Sequence, residues 1–358
     1  MVIVGVSLHA TGGFAAGSFY MAFKKVRHWA WESYWLVNGL FTWVIMPWVV
    51  AVLTVPELGA ILRDMPLKSV FWTLLFGSCW GIGNLTFGLS LRYLGLSLGM
   101  AMTLGLTTTF GTLVPPIFSG PFGKLVGSAS GLTTFGELVG SISGLTTLGG
   151  IFVCLLGIAG CGWAGMSKES ELSAEEKTKY IKEFNYKKGI TVAVFSGIMS
   201  ACFAFAVHAG KPIRELAELH NTPALWSNSP VIVLIMAGGF ITNASCCLIM
   251  NIRNRTIGNY FNGGGALLTT NYVFCAIAGI TGFMEFMCYG MGTTQMGKYD
   301  FASFSIHLAF VIIFSNMWGL ICREWKGCSK RTIRLIICGL AVLMFSTVII
   351  GFGSYLAD

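Results

Sequence analysis

The sequence predicts an all-α membrane protein of ten transmembrane helices, arranged as two inverted five-helix repeats. Three observations lead there. Apolar residues make up 54% of the 358-residue chain and charged residues only 11%, against about 25% charged in an ordinary soluble domain. A chain so poor in charge cannot coat a water-facing surface. The apolar residues also fall into ten runs, each near the roughly 20 residues that a spanning helix needs. Finally, the connections between these runs alternate between rich and poor in Lys and Arg.

The first run covers residues 2–22, and the basic cluster Lys24, Lys25 and Arg27 follows it. A secretory leader carries its positive charge ahead of the apolar stretch, so this run is expected to be the first membrane helix. Runs 34–54, 69–90 and 94–118 come next. A tandem duplication then intervenes: LVGSASGLTTFGE at 125–137 recurs as LVGSISGLTTLGG at 138–150, identical at ten of thirteen positions. Its Gly, Ser and Thr predict a flexible linker remote from substrate, with one copy dispensable. The fifth run is 145–165. The charged stretch 166–188 follows, and then runs 189–209, 229–250, 268–291, 301–322 and 333–355. Continuous apolar runs do not fit the alternating pattern of a β-barrel.

Of the 23 Lys and Arg, 17 fall in the odd-numbered connections and 6 in the even-numbered ones. The positive-inside rule puts the odd connections in the cytoplasm and both termini outside, in the periplasm of a bacterial inner membrane protein. The division is then an N-terminal repeat at 1–165, a cytoplasmic linker at 166–188 and a C-terminal repeat at 189–358. Five helices per half make the second half enter the membrane in the opposite sense, the layout of an inverted-repeat transporter. The same distribution of charge explains the net +8 without nucleic acid. The eleven Cys show no CxxC and no zinc spacing. They read as small packing residues, and no metal or cofactor is expected.

Ionisable groups inside a bilayer are costly, so each is a functional candidate. Glu285, in GITGFMEFMCYGMG, is the one acidic residue deep within a predicted span. It is the candidate proton carrier. His9 lies among small residues in SLHATGG and is a candidate for proton handling or sugar contact; His208 and His307 are weaker ones. Sugar recognition needs flat apolar faces beside dense hydrogen bonding. Trp80 and Asn84 share a helix face in CWGIGN, as do Glu285 and Tyr289. Trp80, Asn84, His9 and Tyr289 are therefore the candidate substrate contacts. Asn38, Asn243 and Asn316 read as interhelical bonds, and Glu32 and Asp300 as groups at helix ends.

The stretches FYMAFKKVRHWAWESYW at 19–35 and FGSCWGIGNLTFGLSLRYLGLSLGMAMTLGLTTTFGTLVPPIF at 76–118 resemble the L-rhamnose–proton symporter family. So do EFNYKKG at 183–189, GKPIREL at 210–216, QMGKYDF at 295–301 and REWK at 323–326. The resemblance spans nearly the whole chain in the same order. It implies the drug/metabolite transporter fold of two inverted five-helix repeats, with uptake of L-rhamnose, and of L-lyxose as a second substrate, coupled to protons. Trp80, Asn84, Tyr299 and Asp300 fall in these stretches, and His9 in a further stretch ahead of them that resembles the family. The family pattern carries an amide where Glu285 stands, and lacks the duplication. The competing readings are a transporter or exporter of another small metabolite, a membrane enzyme and a passive channel. Fold alone does not choose a substrate. An enzyme is disfavoured because no paired-His motif, acidic metal cluster or nucleophile elbow occurs.

The loop charges carry a direct test of orientation. Single cysteines replacing Glu175 or Asp358, in a background without reactive native thiols, are expected to differ in intact cells. Asp358→Cys labels from outside and Glu175→Cys does not; the opposite pattern overturns the assignment.

Overall fold

In a computed structural model, residues 1–94, 96–117, 135–171 and 185–357 are described, and these are helical with no strand among them. Among the described residues long helices fall on the predicted runs. They are α1 (Val2–Ser18, continued by Tyr20–Phe23), α2 (Trp31–Thr54), α3 (Leu67–Leu94), α4 (Leu96–Ile117), α5 (Ile142–Glu171), α6 (Tyr186–Ala209), α7 (Ser229–Asn254), α8 (Gly265–Thr293), α9 (Ser303–Ile321) and α10 (Lys330–Tyr355). Among the described residues nine helices, all but α4, are long and apolar enough to cross a membrane. The chain is an all-α, multi-pass membrane protein.

Ser and Thr inside these helices return their hydroxyls to the carbonyl one turn back, as Thr11 does to Ser7, Thr42 to Asn38 and Thr108 to Leu104. That satisfies a polar group where lipid offers no partner. Helix α2 is not uniform. Its middle, Leu40–Ile45, is a π-helix, followed closely by Pro47. Proline has no N–H and crowds the carbonyl four residues earlier, here that of Trp43. The wider π turn accommodates this and swings Thr42 and Trp43 inward, where both are buried.

The long helices assemble into two groups. In one, α6 packs on α3 and α4, with α7 beside α3; in the other, α1 packs on α8 and α9, with α2 beside α8. Helices α2 and α7 also touch, and α5 lies along α10. The α5–α10 seam runs on small residues: a Cβ added at Gly157 would stand 2.8 Å from the Leu343 side chain.

Polar pairs fasten the connections at each end. At the even-numbered end Arg214 Nη1 stands 3.8 Å from Asp300 Oδ2, joining the α6–α7 and α8–α9 connections. There, too, His220 Nδ1 is 2.8 Å from Glu57 Oε2. At the other end Glu32 accepts hydrogen bonds from Asn254 and Thr256, at 3.0 and 2.9 Å. The backbone of Arg27 is bonded in both directions by the Asn271 amide.

The duplication departs from its expected character. The second copy is not a linker: a short helix, Phe135–Val139, enters it, and α5 begins at Ile142 rather than 145. Leu138 and Thr147 are fully buried. Ser143 and Ser141 lie 2.9 and 3.2 Å from the hydroxyl of Tyr299, itself buried. The copy packs because its apolar and small residues recur at helical spacing against α10, a surface that composition alone does not reveal. Residues 125–134 of the first copy lie outside the described residues. Helix α5 also runs on to Glu171 and α6 starts at Tyr186, so both ends of the charged 166–188 stretch are helical; 172–184 lie outside the described residues.

Deleting 138–150 should therefore abolish monodisperse protein in size-exclusion chromatography rather than leave transport intact. Tyr299→Phe should lose about 1 kcal/mol, read as a lower melting temperature in detergent. A deletion variant that elutes like the parent would show that this packing is dispensable.

Candidate substrate and proton site

A cavity of about 280 Å³ lies between the two helix groups. That is near the lower end of the roughly 300–1,000 Å³ usual for small-molecule sites. Trp80 and Asn84 of α3 line it, with Phe203 of α6 on the same side; Glu285 and Tyr289 of α8 and His307 of α9 line the opposite side. The i, i+4 spacing of Trp80 with Asn84, and of Glu285 with Tyr289, turns each pair to one helix face.

Aromatic rings make the walls. Trp80 packs edge-on against Trp43, Phe203 and Phe286, with centroids 6.3, 5.3 and 5.2 Å away. Its indole sits so close to α7 that a Cβ at Gly239 would fall 2.6 Å from it, so only glycine fits there. Asn84 is half-buried. Asn38 lines the cavity, is buried, and has no protein partner for its Oδ1; Trp43 Nε1, also at the cavity, is likewise unpaired. Buried polar atoms usually carry a partner, so these two leave one acceptor and one donor available to a molecule in the cavity.

The ionisable groups gather on the α8–α9 side. His307 Nε2 stands 3.6 Å from Glu285 Oε1. Glu285 keeps 18% side-chain exposure, toward the cavity that it lines. His9 is not in the cavity lining. It stands behind it, 0% exposed, its ring centroid 5.6 Å from Tyr289 and 5.8 Å from His307. Neither of its nitrogens has a protein partner. Gly292 of α8 makes room for it, since a Cβ there would lie 2.7 Å from the imidazole.

Four of the five residues expected at the site thus border one cavity, and the fifth supports them from behind. The other expectations divide. His307 joins the site, while His208 sits at the far end of α6 near Asp300, Lys211 and Arg214. Asn243 is a structural bond, accepting from Trp35 and donating to the Gly81 and Gly239 carbonyls. Asn316 donates to the Ile312 carbonyl. Asn38, expected as an interhelical bond, is a cavity residue instead. Trp43 had no sequence signal except the nearby Pro47. No group of three or more His, Cys, Asp or Glu able to hold a metal occurs among the described residues.

A multi-pass helical protein enclosing an aromatic and amide-lined cavity with an acid–imidazole pair at its wall falls in the class of membrane transporters. A family model described as L-rhamnose-proton symport protein (RhaT) matches residues 1–356. The "L-rhamnose-proton symporter" of Cronobacter sakazakii is 36% identical over 355 residues, covering 98% of each chain. Proteins of the same name from Yersinia pestis and Yersinia pseudotuberculosis are 35% identical over the same length, again 98% of each chain. The chain belongs to the L-rhamnose-proton symport protein family.

Proposed function

We propose that the protein takes up L-rhamnose, and L-lyxose as a second substrate, together with protons across a bacterial inner membrane by alternating access. The observation that carries this reading is the cavity itself: aromatic walls and unpaired amide and indole groups on one side, and an acid–imidazole pair on the other. The relatives named as symporters over the whole chain support the choice of sugar.

Ten spans as two inverted repeats, 1–165 and 189–358 joined by the 166–188 linker, are part of the proposal. Helix pairing supports it. Shifting each helix number by five turns α3·α6 into α8·α1, α4·α6 into α9·α1, and α3·α7 into α8·α2; all of these pairs pack. The pairs α5·α10 and α2·α7 map onto themselves. The loop charges support periplasmic termini. In that orientation Arg214 and Asp300 close the periplasmic end between the two groups. The cavity continues toward the cytoplasmic end past Tyr20, Phe87 and Ser315. Rocking the α3–α4–α6 group against the α1–α8–α9 group would exchange these ends around a fixed site.

In this scheme Trp80 supplies the sugar's apolar platform and Asn84 its hydrogen bonds. Glu285 takes up a proton from outside and releases it inside. Neutralising a carboxyl lowers the cost of carrying it through a closed, dry state. One charge crossing about 100 mV releases about 2.3 kcal/mol, enough for roughly fiftyfold accumulation.

Two tests follow. Trp80→Ala and Asn84→Ala should each weaken L-rhamnose binding about tenfold, since a lost buried partner costs roughly 1–3 kcal/mol, while the amount of protein in the membrane stays the same. Unchanged affinity by calorimetry in both variants would make this face structural. Glu285→Gln should retain sugar binding and exchange across proteoliposomes but lose accumulation driven by an imposed proton gradient. Normal gradient-driven accumulation by that variant would remove Glu285 as the carrier.

A further inference from the structure

We propose that Glu285 and His307 hold the transported proton as one unit, with His307 the second proton-binding residue rather than only a sugar contact. This deepens the reading above and rests on it for the role of the proton. The pairing itself stands on geometry alone.

The two groups come from different helices, α8 and α9, and face the same cavity. Their 3.6 Å separation is within the range where opposite charges interact strongly, and within one small shift of a direct hydrogen bond. His307 is 4% exposed, and its other nitrogen, Nδ1, is buried without a protein partner. No other bond in the protein therefore fixes its tautomer, and the ring is free to present Nε2 to the carboxyl as donor or as acceptor.

The surroundings leave the pair few rivals. From α1, His9 faces the His307 ring, and Tyr20 borders the cavity near Glu285. From α8, Tyr289 packs on His307 with centroids 5.2 Å apart. The groups that α2, α3, α4 and α6 direct at the cavity are aromatic, amide, hydroxyl or aliphatic. Asp300 and Arg214 lie further out, engaged with each other. Among the described residues lining the cavity, Glu285 is the one carboxyl and His307 the one imidazole.

Proton accounting explains why a pair serves better than a lone acid. With one proton bound, the unit is either a carboxylate beside an imidazolium or a carboxylic acid beside a neutral imidazole. Both forms have zero net charge, so the loaded unit crosses a closed state without an uncompensated charge. A proton arriving from outside joins the carboxylate–neutral imidazole form; its release inside regenerates that form, with charge −1. A sugar hydroxyl placed against the unit meets a different set of donors and acceptors in each state. Sugar affinity and proton affinity are then reciprocally linked.

The pairing is measured without sugar. In wild-type protein the infrared C=O band of protonated Glu285, identified by its loss in Glu285→Gln, is titrated against pH. In His307→Gln the carboxylate loses the ring that stands 3.6 Å from it, so the band should disappear at a different pH from the wild type. The reciprocal experiment uses 15N-histidine NMR on Glu285→Gln. One of the five His, absent in His307→Gln/Glu285→Gln, should titrate at a different pH from its wild-type counterpart. This arm stands even if His307→Gln does not fold. An unmoved carboxyl band in folded His307→Gln, or an unmoved imidazole in Glu285→Gln, overturns the proposal. L-rhamnose is then added to the wild type. A moved carboxyl midpoint supports coupling through the unit. A midpoint indifferent to L-rhamnose that calorimetry shows to be bound overturns the proposal, since the pair then does not hold the transported proton; absence of L-rhamnose binding fails the reading above instead.

Discussion

Lipid offers neither a hydrogen bond nor a counter-charge, and the placement of polar groups in this protein follows from that. Within the helices, Ser and Thr hydroxyls bond one turn back. Between helices, amides are doubly used: Asn243 ties α2, α3 and α7, and Asn271 bonds both the N–H and the C=O of Arg27. Against this background the polar atoms left without a protein partner are informative. Among the described residues eleven buried side-chain atoms lack a hydrogen-bond partner in the protein, and five of them, Asn38 Oδ1, Trp43 Nε1, His307 Nδ1 and both nitrogens of His9, lie at one cavity or directly behind it. Under the proposed function, these five are the open polar atoms that a hydroxylated ligand and a proton would meet.

Small residues decide how close the helices come, and so where the cavity remains. Gly239 lets α7 approach the Trp80 ring, and Gly292 lets α8 close over His9. Both fix aromatic or imidazole groups at the site from behind, limiting their rotamers. The π turn in α2 acts in the same sense, since it carries Trp43 into contact with Trp80. A site built this way has rigid walls on α2 and α3, whereas its ionisable wall belongs to α8 and α9.

Much of this was legible in the sequence, and for identifiable reasons. Apolar runs locate helices because the length needed to cross lipid is fixed, and among the described residues nine of the runs coincide with helices long and apolar enough to cross a membrane. Trp80 with Asn84, and Glu285 with Tyr289, were readable because i, i+4 spacing is a property of the helix alone. His307 and His208 could not be separated that way. Each is a single imidazole in an apolar helix, and only tertiary packing sets one beside Glu285 and the other near Arg214. Asn38 and Asn243 are alike in the same respect. The duplication misled because Gly, Ser and Thr describe a flexible linker in water and a tight helix seam in a membrane equally well. Its second copy became a helix because α10 presents a surface that these small residues fit.

Within the proposed transport cycle, the arrangement of charge sets a further condition. Arg214 and Asp300 join the two helix groups at one end, but they are partly exposed, with side chains 17% and 23% accessible. An ion pair at such a position contributes only modestly, typically about 1 kcal/mol or less. A stronger bond there would hold that end shut against the energy available from one proton and one sugar. The Glu285 carboxyl is about as accessible, at 18%, but the Glu285–His307 pair differs in place. It lines the cavity between the two helix groups, where a net charge is expensive in a closed state, so its protonation state weighs on which closed forms are accessible. In the proposed cycle, a latch at one end and a charge constraint at the cavity let site occupancy, rather than the end contact, determine when the ends exchange.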